Sequence, residues 1–337
     1  MHPKLKTLKI EKLFGHKDIE LHFNDVTVLV GKNGLGKTTL LKILHALLLR
    51  SYSITLNDCF SAELIFDDEF TISYRTNGLS ENVKHILNHI FSISVDSERF
   101  LEFSEKVKLG VKLSKKYGED VPEELLSIDD NNENFKNLFS GIPQTEGKFS
   151  FSDNISNYLD TIASVDFIST INMSANSQQF LTGSDGRQGN LLDWEIEKEI
   201  SDIVKTPKGK YTLAFIKEVN RHFADSGKKV QIKDGLKVIT PDSKTPLPVS
   251  KLSSGERQLL YIMAKVANTK NSPAFLLMDE PEISLHLNWQ EKLLDSIKTL
   301  NPNCQIVVVT HSPAIIMDGY MDSYIDMENI VVESRNV

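Results

Sequence analysis

A glycine-rich loop constrains this chain more than any other feature. Residues 31–39 read Gly-Lys-Asn-Gly-Leu-Gly-Lys-Thr-Thr, fit the pattern G-x-x-x-x-G-K-[ST], and follow the apolar run Val-Thr-Val-Leu-Val at 26–30. Leucines at helical spacing occupy 40–49. A buried strand, a glycine loop and a helix form the context in which this pattern binds phosphate. A glycine turn that binds nothing is the alternative, and the two flanking elements disfavour it.

The residue types of the loop suit a nucleotide and its metal ion. Glycines let successive backbone N–H groups close around an anion without Cβ clashes, and the N-terminus of the following helix adds positive potential. In this pattern Lys37 reaches the β- and γ-phosphates, and Thr38 holds Mg²⁺ through its hydroxyl. The loop alone predicts a nucleoside phosphate with Mg²⁺, as a kinase, a GTPase or a motor would bind. The other residues predicted to bind the nucleotide are Gly31, Asn33, Gly34, Gly36 and Thr39.

Composition argues against several classes of protein. Lys and Arg number 38 against 46 acidic residues, for a net charge of −8, so no global positive field attracts nucleic acid, although a local basic groove stays open. Cys59 and Cys304 lack C-x-x-C spacing, which disfavours a disulfide framework and a zinc site. The N-terminus lacks the apolar core of a signal peptide, and no window approaches ~18 apolar residues. We expect a cytoplasmic protein that does not cross a membrane.

Hydrophobic periodicity predicts further elements along the chain. The predicted helices are 191–204 and 211–224, a strand is predicted over 165–171, and hairpins are predicted over 4–14 with 18–23, over 62–75 and over 229–240. Residues 79–140 read as a charged helical insertion. Within it His85 and His89 have i,i+4 spacing, which fits either a metal pair or two partly exposed helix residues, and no Glu or Cys completes a ligand set.

A second motif precedes an apolar helix. Residues 252–256 read Leu-Ser-Ser-Gly-Glu, and the apolar run begins at 259. Ser253 and Glu256 have the spacing of a capping box, which is a purely structural explanation. The alternative is an anion site, in which the Ser253 hydroxyl and the bare N–H of Gly255 face a nucleotide held elsewhere. The sequence leaves both interpretations open.

Two more strands end in residues that carry chemistry. The apolar run at 274–278 ends in Asp279 and Glu280, and the run at 305–310 is followed by His311. Open α/β sheets bind ligands at the carboxyl ends of their strands. We expect Asp279 to hold Mg²⁺ through its water shell, Glu280 to orient or deprotonate the attacking water, and His311 to donate a hydrogen bond to phosphate or water. The bland alternatives are two acids that begin a loop and a neutral histidine at a strand end.

The order of these motifs resembles that of the ABC-type ATPases. Residues 31–38 resemble a Walker A motif, 252–256 a signature motif, 275–280 a Walker B motif and His311 a switch histidine. The stretch 279–290, Asp-Glu-Pro-Glu-Ile-Ser-Leu-His-Leu-Asn-Trp-Gln, resembles the soluble branch related to Rad50, RecF and the ATPase part of OLD nucleases. In particular it resembles small stand-alone ATPases of bacterial anti-phage systems such as Septu, retron-linked and PARIS-type modules.

The resemblance implies a fold and an assembly. The implied fold is α/β, an ABC-ATPase head with a P-loop core sheet, an antiparallel β subdomain and a helical insertion. It is one domain over 1–337, with a core lobe at about 1–75 and 240–337 and a second lobe at about 76–240. Two heads would close head-to-tail on two ATP molecules as a homodimer, with Ser253 and Gly255 acting in trans. The glutamine that couples the γ-phosphate to the inserted lobe is Gln144, Gln178 or Gln179.

Two positions depart from the family pattern. Ser254 fills the first of the two glycine places in the signature, and His286 stands where transporters and Rad50 carry an aspartate. The function that we expect is a hydrolytic ATPase that controls a separate effector, a nuclease or a toxin, in anti-phage defence, because the stretch after His311 is too short for the nuclease domain of OLD proteins. The alternatives are a DNA-binding repair ATPase of the Rad50 or RecF type and a transporter subunit.

Overall fold

The computed structural model describes residues 2–76, 147–169, 180–182, 188–205, 209–232, 235–241 and 245–333. The chain divides into two units, residues 1–75 with 149–337 and residues 76–148. The second unit lies almost wholly outside the described residues. The predicted insertion at 79–140 and the residues His85, His89, Gln144, Gln178 and Gln179 all lie outside them too.

The described residues form strands and helices that follow one another along the chain in short groups. The strands are β1 (Leu5–Leu13), β2 (Lys17–His22), β3 (Val26–Val30), β4 (Ser61–Phe66), β5 (Thr71–Arg75), β6 (Lys148–Phe151), β7 (Ser164–Ser169), β8 (Phe180–Thr182), β9 (Gln188–Asn190), β10 (Lys229–Ile232), β11 (Leu236–Ile239), β12 (Ala274–Asp279), β13 (Cys304–Val309), β14 (Tyr324–Asp326) and β15 (Val331–Glu333). The helices are α1 (Lys37–Leu49), α2 (Asp153–Thr161), α3 (Leu191–Val204), α4 (Lys210–Phe223), α5 (Ser254–Asn268), α6 (Leu287–Leu300), α7 (Ala314–Met317) and α8 (Met327–Ile330).

A parallel sheet forms the centre of the larger unit. Its strand order is β14-β3-β13-β12-β7, and every neighbouring pair is parallel. Every residue of β12 and β13 is buried, and so is most of β3. Near-continuous apolar runs are typical of parallel strands that are covered on both faces. The apolar runs identified in the sequence are therefore the three middle strands of this sheet.

Alternate residues of β12 feed two separate hydrophobic layers. Leu276 and Met278 pack into the layer built largely from helices α3 to α6, whereas Phe275 and Leu277 pack against α1 and the antiparallel strands. Successive side chains of a strand point to opposite faces, so one apolar strand contributes to both layers. Burial of apolar side chains on two faces stabilises this strand far more than one-sided burial, at about 25 cal/mol per Å² removed from water.

The second large sheet has the order β15-β2-β1-β4-β5-β6. Its pairs β15–β2, β2–β1, β1–β4 and β4–β5 are antiparallel. The predicted hairpins over 4–23 and 62–75 are confirmed as β1–β2 and β4–β5, and the hairpin over 229–240 as β10–β11. The strand predicted over 165–171 is β7, one residue earlier at its start. The helices predicted over 191–204 and 211–224 are α3 and α4.

No helix in the described ranges has both the length and the apolar content needed to span a membrane.

The side chain of Gln305 joins the two large sheets. It lies on β13 and is 3% exposed. Its Oε1 accepts a hydrogen bond from the Leu5 N–H at 2.8 Å, and its Nε2 donates to the carbonyl oxygens of Leu5 at 2.9 Å and Asn24 at 3.0 Å. The amide therefore satisfies main-chain groups at the start of β1 and just before β3, where the antiparallel and parallel sheets meet.

We expect Gln305→Ala to destabilise the protein by about 2–4 kcal/mol, because buried main-chain groups left without partners each carry a desolvation penalty. Urea denaturation of the full chain measures the change in the free energy of unfolding. Gln231→Ala, which truncates an exposed glutamine on β10, is the matched control and should stay within about 0.5 kcal/mol of wild type. Equal stability of the two variants would contradict the role of the Gln305 amide.

Candidate nucleotide site

Three segments that carry predicted binding or catalytic residues meet at one edge of the central sheet. The glycine loop follows β3, Asp279 ends β12 with Glu280 next to it, and His311 comes two residues after β13. Because β3, β13 and β12 are parallel neighbours, their carboxyl ends lie at the same edge, where open α/β sheets bind ligands. The structure thus brings together the glycine loop, the acidic pair and the histidine that the sequence predicted.

The glycine loop has a backbone that other residues cannot adopt without strain. Gly31, Gly34 and Gly36 have φ angles of 138°, 83° and 96°, all in the left-handed region that favours glycine. At Gly36, which caps the start of α1, a Cβ atom would also lie 3.0 Å from the ring of Phe14. The loop therefore keeps its main chain bare at the helix N-terminus, which is the geometry of an anion cradle.

Lys37 lies across the loop. Its side chain is buried, and its Nζ donates hydrogen bonds to the carbonyl oxygens of Gly31 at 2.6 Å and Lys32 at 3.0 Å. Burial lowers the pKa of Lys37, and the carboxylates of Glu280, Asp279 and Asp326 oppose that shift. The ammonium group is thus a positive charge held between the loop and three acids.

Thr38 connects the glycine loop to β12. Its hydroxyl donates to Asp279 Oδ1 at 3.0 Å. Asp279 is 2% exposed, and burial raises its pKa, while the hydrogen bond from Thr38 acts in the opposite direction. Hydroxyl and carboxylate oxygens are the ligands that Mg²⁺ prefers, and that ion usually takes few protein ligands and completes its shell with water and phosphate oxygens. The described residues contain no group of three or more His, Cys, Asp or Glu side chains suited to a metal.

Glu280 and His311 face each other at the sheet edge. His311 Nε2 lies 3.5 Å from Glu280 Oε1, and both side chains are partly exposed. Glu280 has a φ of 51°, and its N–H donates to the carbonyl oxygen of Val309 at 2.8 Å. A left-handed conformation at a residue other than glycine costs about 1–2 kcal/mol. The chain accepts this cost at the position that turns the carboxylate toward the imidazole.

Residues 280–286, which we call the acid turn, connect β12 to α6 and contact the signature-like segment. At Gly255 a Cβ atom would overlap the backbone carbonyl oxygen of Ser284. Farther along α5, Gln258 Nε2 donates to the carbonyl oxygen of Pro281 at 2.6 Å. The start of α5 and the acid turn therefore pack main chain to main chain, and glycine at 255 has a structural reason that the sequence did not reveal.

The capping box at Ser253 is present. Ser253 Oγ accepts from the Glu256 N–H at 3.3 Å, and Glu256 Oε2 accepts from the Ser253 N–H at 2.9 Å. No hydrogen bond joins Ser253 or Gly255 to the glycine loop in the part of the chain that the structure describes. Ser253 instead lines a cavity of about 380 Å³ together with His286 and Trp289. The anion-site interpretation of Ser253 and Gly255 stays a prediction.

Sequence reasoning missed several residues of this site. Glu282 accepts from the backbone N–H of His311 at 2.8 Å, and Gln290 accepts from the Ser312 hydroxyl at 2.6 Å. Asp326, far along the chain, has Oδ1 3.3 Å from where a Cβ of Gly31 would lie. The third acid of the run Asp-Glu-Pro-Glu was a visible signal for Glu282. No local pattern marks Gln290 or Asp326, because their roles depend on tertiary contacts.

The chain matches known proteins over most of its length. A family model described as "AAA domain, putative AbiEii toxin, Type IV TA system" matches residues 26–318. The "Retron Vc95 probable ATPase" of Vibrio cholerae is 23% identical over 218 residues, which are 56% of this chain. The "Septu protein PtuA" of Bacillus thuringiensis is 26% identical over 105 residues, 27% of this chain. The aligned parts make up 39% and 26% of those relatives, so the chain spans well under two thirds of either.

A solved structure has the same fold. The SMC head bound to the C-winged helix domain of ScpA aligns with a TM-score of 0.50 at 14% sequence identity, covering 98% of each chain. At that identity the likeness shows the fold alone. The predicted fold class, an ABC-type ATPase head, is confirmed, and so is the resemblance to a retron ATPase and a Septu protein.

We expect Gly255→Ala to destabilise the protein by about 1–3 kcal/mol, because the new methyl group has to displace the main chain at Ser284. Ser254→Ala, one residue earlier in the same helical turn, is the matched control and should change stability little. Thermal unfolding of both variants, followed by circular dichroism, measures the difference. A Gly255→Ala protein as stable as the control would show that the acid turn can move away from α5 freely.

Proposed function

The chain belongs to the AAA_21 family of AAA domains, and from that membership we propose that it binds and hydrolyses ATP as a nucleotide-gated dimer that controls a separate effector. The observation that carries the proposal is the meeting of Lys37, Thr38, Asp279, Glu280 and His311 at one sheet edge. The Thr38 hydroxyl lies 3.0 Å from Asp279 Oδ1, and His311 Nε2 lies 3.5 Å from Glu280 Oε1. These contacts support neighbouring positions for the phosphates, the metal ion and the attacking water in the proposed reaction.

The proposed hydrolysis uses each of these residues differently. The bare main chain of 34–39 and the Lys37 ammonium bind the phosphates. Thr38 and Asp279 would hold Mg²⁺, which when bound neutralises charge on the phosphate oxygens. Glu280 accepts a proton from the attacking water as the bond between the β- and γ-phosphates breaks, and His311 donates a hydrogen bond to the transferred phosphate. The protein contributes positioning and charge, since the nucleophile is water.

The proposal includes a homodimer in which each site is completed by the other subunit. Ser253 lines an open cavity rather than the glycine loop of its own subunit, and the Gly255 main chain lies at the same helix start. Helix N-termini bind anions, so this end of α5 suits a nucleotide presented by a second copy. Two-fold symmetry would make two such composite sites.

The proposed output is control of another protein. One relative is named as the "probable ATPase" of a retron and another as a Septu protein, and we propose that this chain works in the same kind of anti-phage system. A nuclease or a toxin is the effector class that fits. ATP binding would close the dimer and hydrolysis would open it, so the effector would respond to the state of the nucleotide.

We expect Glu280→Gln to bind ATP normally, to lower the turnover number by at least about a hundredfold on the general-base scale of about 10²–10⁴, and to accumulate as a dimer. Phosphate release measures turnover, isothermal titration measures ATP binding, and light scattering measures the dimer. Glu20→Gln, an exposed glutamate on β2, is the matched control. Near-normal phosphate release from Glu280→Gln would refute its assignment as the base.

The same variant tests the effector. Glu280→Gln purified with ATP from its native host should retain the effector protein, identified by mass spectrometry, and Lys37→Ala treated identically should not. Recovery of DNA with no protein partner would favour a DNA-clamping ATPase instead.

We expect mixing to restore activity to two inactive variants, Lys37→Ala and Ser253→Arg. In a mixed dimer one composite site carries both changes, while the other pairs an intact Lys37 with an intact Ser253. A mixture of equal amounts should therefore recover roughly a quarter of wild-type activity if sites act independently in a symmetric dimer. Steady-state ATPase assays of each variant alone and of the mixture make the comparison. A mixture no more active than its components would exclude completion of the site in trans.

A further inference from the structure

A second glutamate of the acid turn reaches the segment that carries the histidine. Glu282 Oε1 accepts a hydrogen bond from the backbone N–H of His311 at 2.8 Å. Glu282 is 8% exposed, so this bond lies inside the protein rather than in solvent. The bond spans two different strand ends, because Glu282 follows β12 and His311 follows β13. It fixes the main chain of His311 and not its imidazole.

Gln290 on α6 makes a second link between the same two segments. Its Oε1 accepts from the Ser312 hydroxyl at 2.6 Å, and its Nε2 donates to the carbonyl oxygens of Leu285 at 2.9 Å and Glu282 at 3.3 Å. Ser312 and His311 are adjacent in sequence, so the residues that flank the imidazole are held from two directions. Of these two side chains, Glu282 bonds to His311 itself, whereas Gln290 bonds to Ser312.

The buried carboxylate of Glu282 does not serve to stabilise the fold. Its second oxygen, Oε2, is buried and has no hydrogen-bond partner among the described residues. A buried polar atom left without a partner carries a penalty of its own, larger for a charged group than for a neutral one. A buried acid with a single hydrogen bond to the backbone therefore lowers the stability of the fold. A functional role explains its presence better than a stabilising one.

The geometry supplies that reason. His311 Nε2 lies 3.5 Å from Glu280 Oε1, and Glu280 itself sits at a strained backbone position held by Val309. The two reacting side chains come from separate strand ends, so their spacing depends on how firmly those ends are joined. Displacement of a catalytic group by 1 Å can lower a rate by about a hundredfold.

We propose that Glu282 is a positioning residue, which fixes His311 against Glu280 through the His311 backbone N–H without contacting the nucleotide. This inference rests on the proposed ATPase function for its kinetic consequence. Its structural consequence, the protected His311 amide, can be measured without any hydrolysis.

Three substitutions separate the parts of the Glu282 side chain. Glu282→Gln keeps an oxygen at the Oε1 position, so we expect it to retain most of the wild-type turnover number. Glu282→Asp keeps the charge but shortens the side chain by one methylene, and Glu282→Ala removes the acceptor. For these two we expect the turnover number to fall roughly tenfold to a hundredfold, while ATP binding by isothermal titration stays within about threefold because the glycine loop is untouched. Glu20→Ala is the control for loss of a glutamate.

Hydrogen exchange of the His311 amide gives the readout that does not need activity. In the wild type and in Glu282→Gln this amide should exchange slowly, and in Glu282→Asp and Glu282→Ala it should exchange about tenfold faster or more. Two-dimensional NMR of the full chain measures the rate. The amide of Val308, inside β13, serves as the internal reference, since a general loosening of the sheet would accelerate both.

The outcomes distinguish the inference from the function on which it rests. Wild-type turnover in Glu282→Asp with a protected His311 amide would overturn the inference while leaving the ATPase proposal intact. Absence of hydrolysis by the wild type would overturn the ATPase proposal, and the exchange rates would still decide whether Glu282 holds His311. Should Glu282→Ala fail to fold, the Glu282→Asp and Glu282→Gln pair decides the question, because both keep a polar side chain at the buried position.

Discussion

The parallel register of β3, β13 and β12 is the constraint on which the rest of the site depends. Leu29 on β3 lies opposite Val309, and Val309 lies opposite Asp279. The three strands therefore end in line, and the segments that follow them meet at one edge. Since alternate residues of β12 are buried in two different hydrophobic layers, a slip of one residue would exchange those faces. Core packing thereby fixes the position of Asp279 relative to the glycine loop.

The acid turn is where the separate parts of the site become mechanically connected. It begins after β12 at Glu280, whose backbone is strained, and Gln258 from α5 donates a hydrogen bond to it. Through Glu282 it also bonds to the backbone N–H of His311. Gly255 allows α5 to approach the acid turn so closely that a methyl group at this position would overlap the main chain of Ser284. Under the proposed function, a change at the start of α5 has a direct packed route to the residues beside His311. Packed main chain and hydrogen bonds of this kind can carry energetic coupling between two elements.

Much of this site could be predicted from sequence, for physical reasons that apply to particular residues. An apolar run that reads as a buried strand precedes the glycine loop, the pair Asp279 and Glu280, and His311. Residues that follow parallel strands meet at one edge of the sheet, so the pattern of apolar runs is enough to place them there. Glu282, Gln290 and Gln305 could not be placed, because their hydrogen bonds join segments that are distant in sequence and no periodicity encodes a side-chain to main-chain bond. Gly255 is intermediate: the signature-like pattern marks it, but the close approach of Ser284 that requires glycine exists only in three dimensions.

The balance of charge around Lys37 favours a metal ion beside the proposed nucleotide. The carboxylates of Asp279, Glu280 and Asp326 all act on Lys37, and Asp279 also feels the charge of Glu282. One buried ammonium against several acids is a poor receptor for a triphosphate, since like charges in a medium of low dielectric repel strongly. A divalent cation held by Thr38 and Asp279 would reverse that balance at the point where phosphate oxygens arrive. Under the proposed function, the site would therefore accept ATP only as its metal complex, and the carboxylates around Lys37 would select that form of the nucleotide.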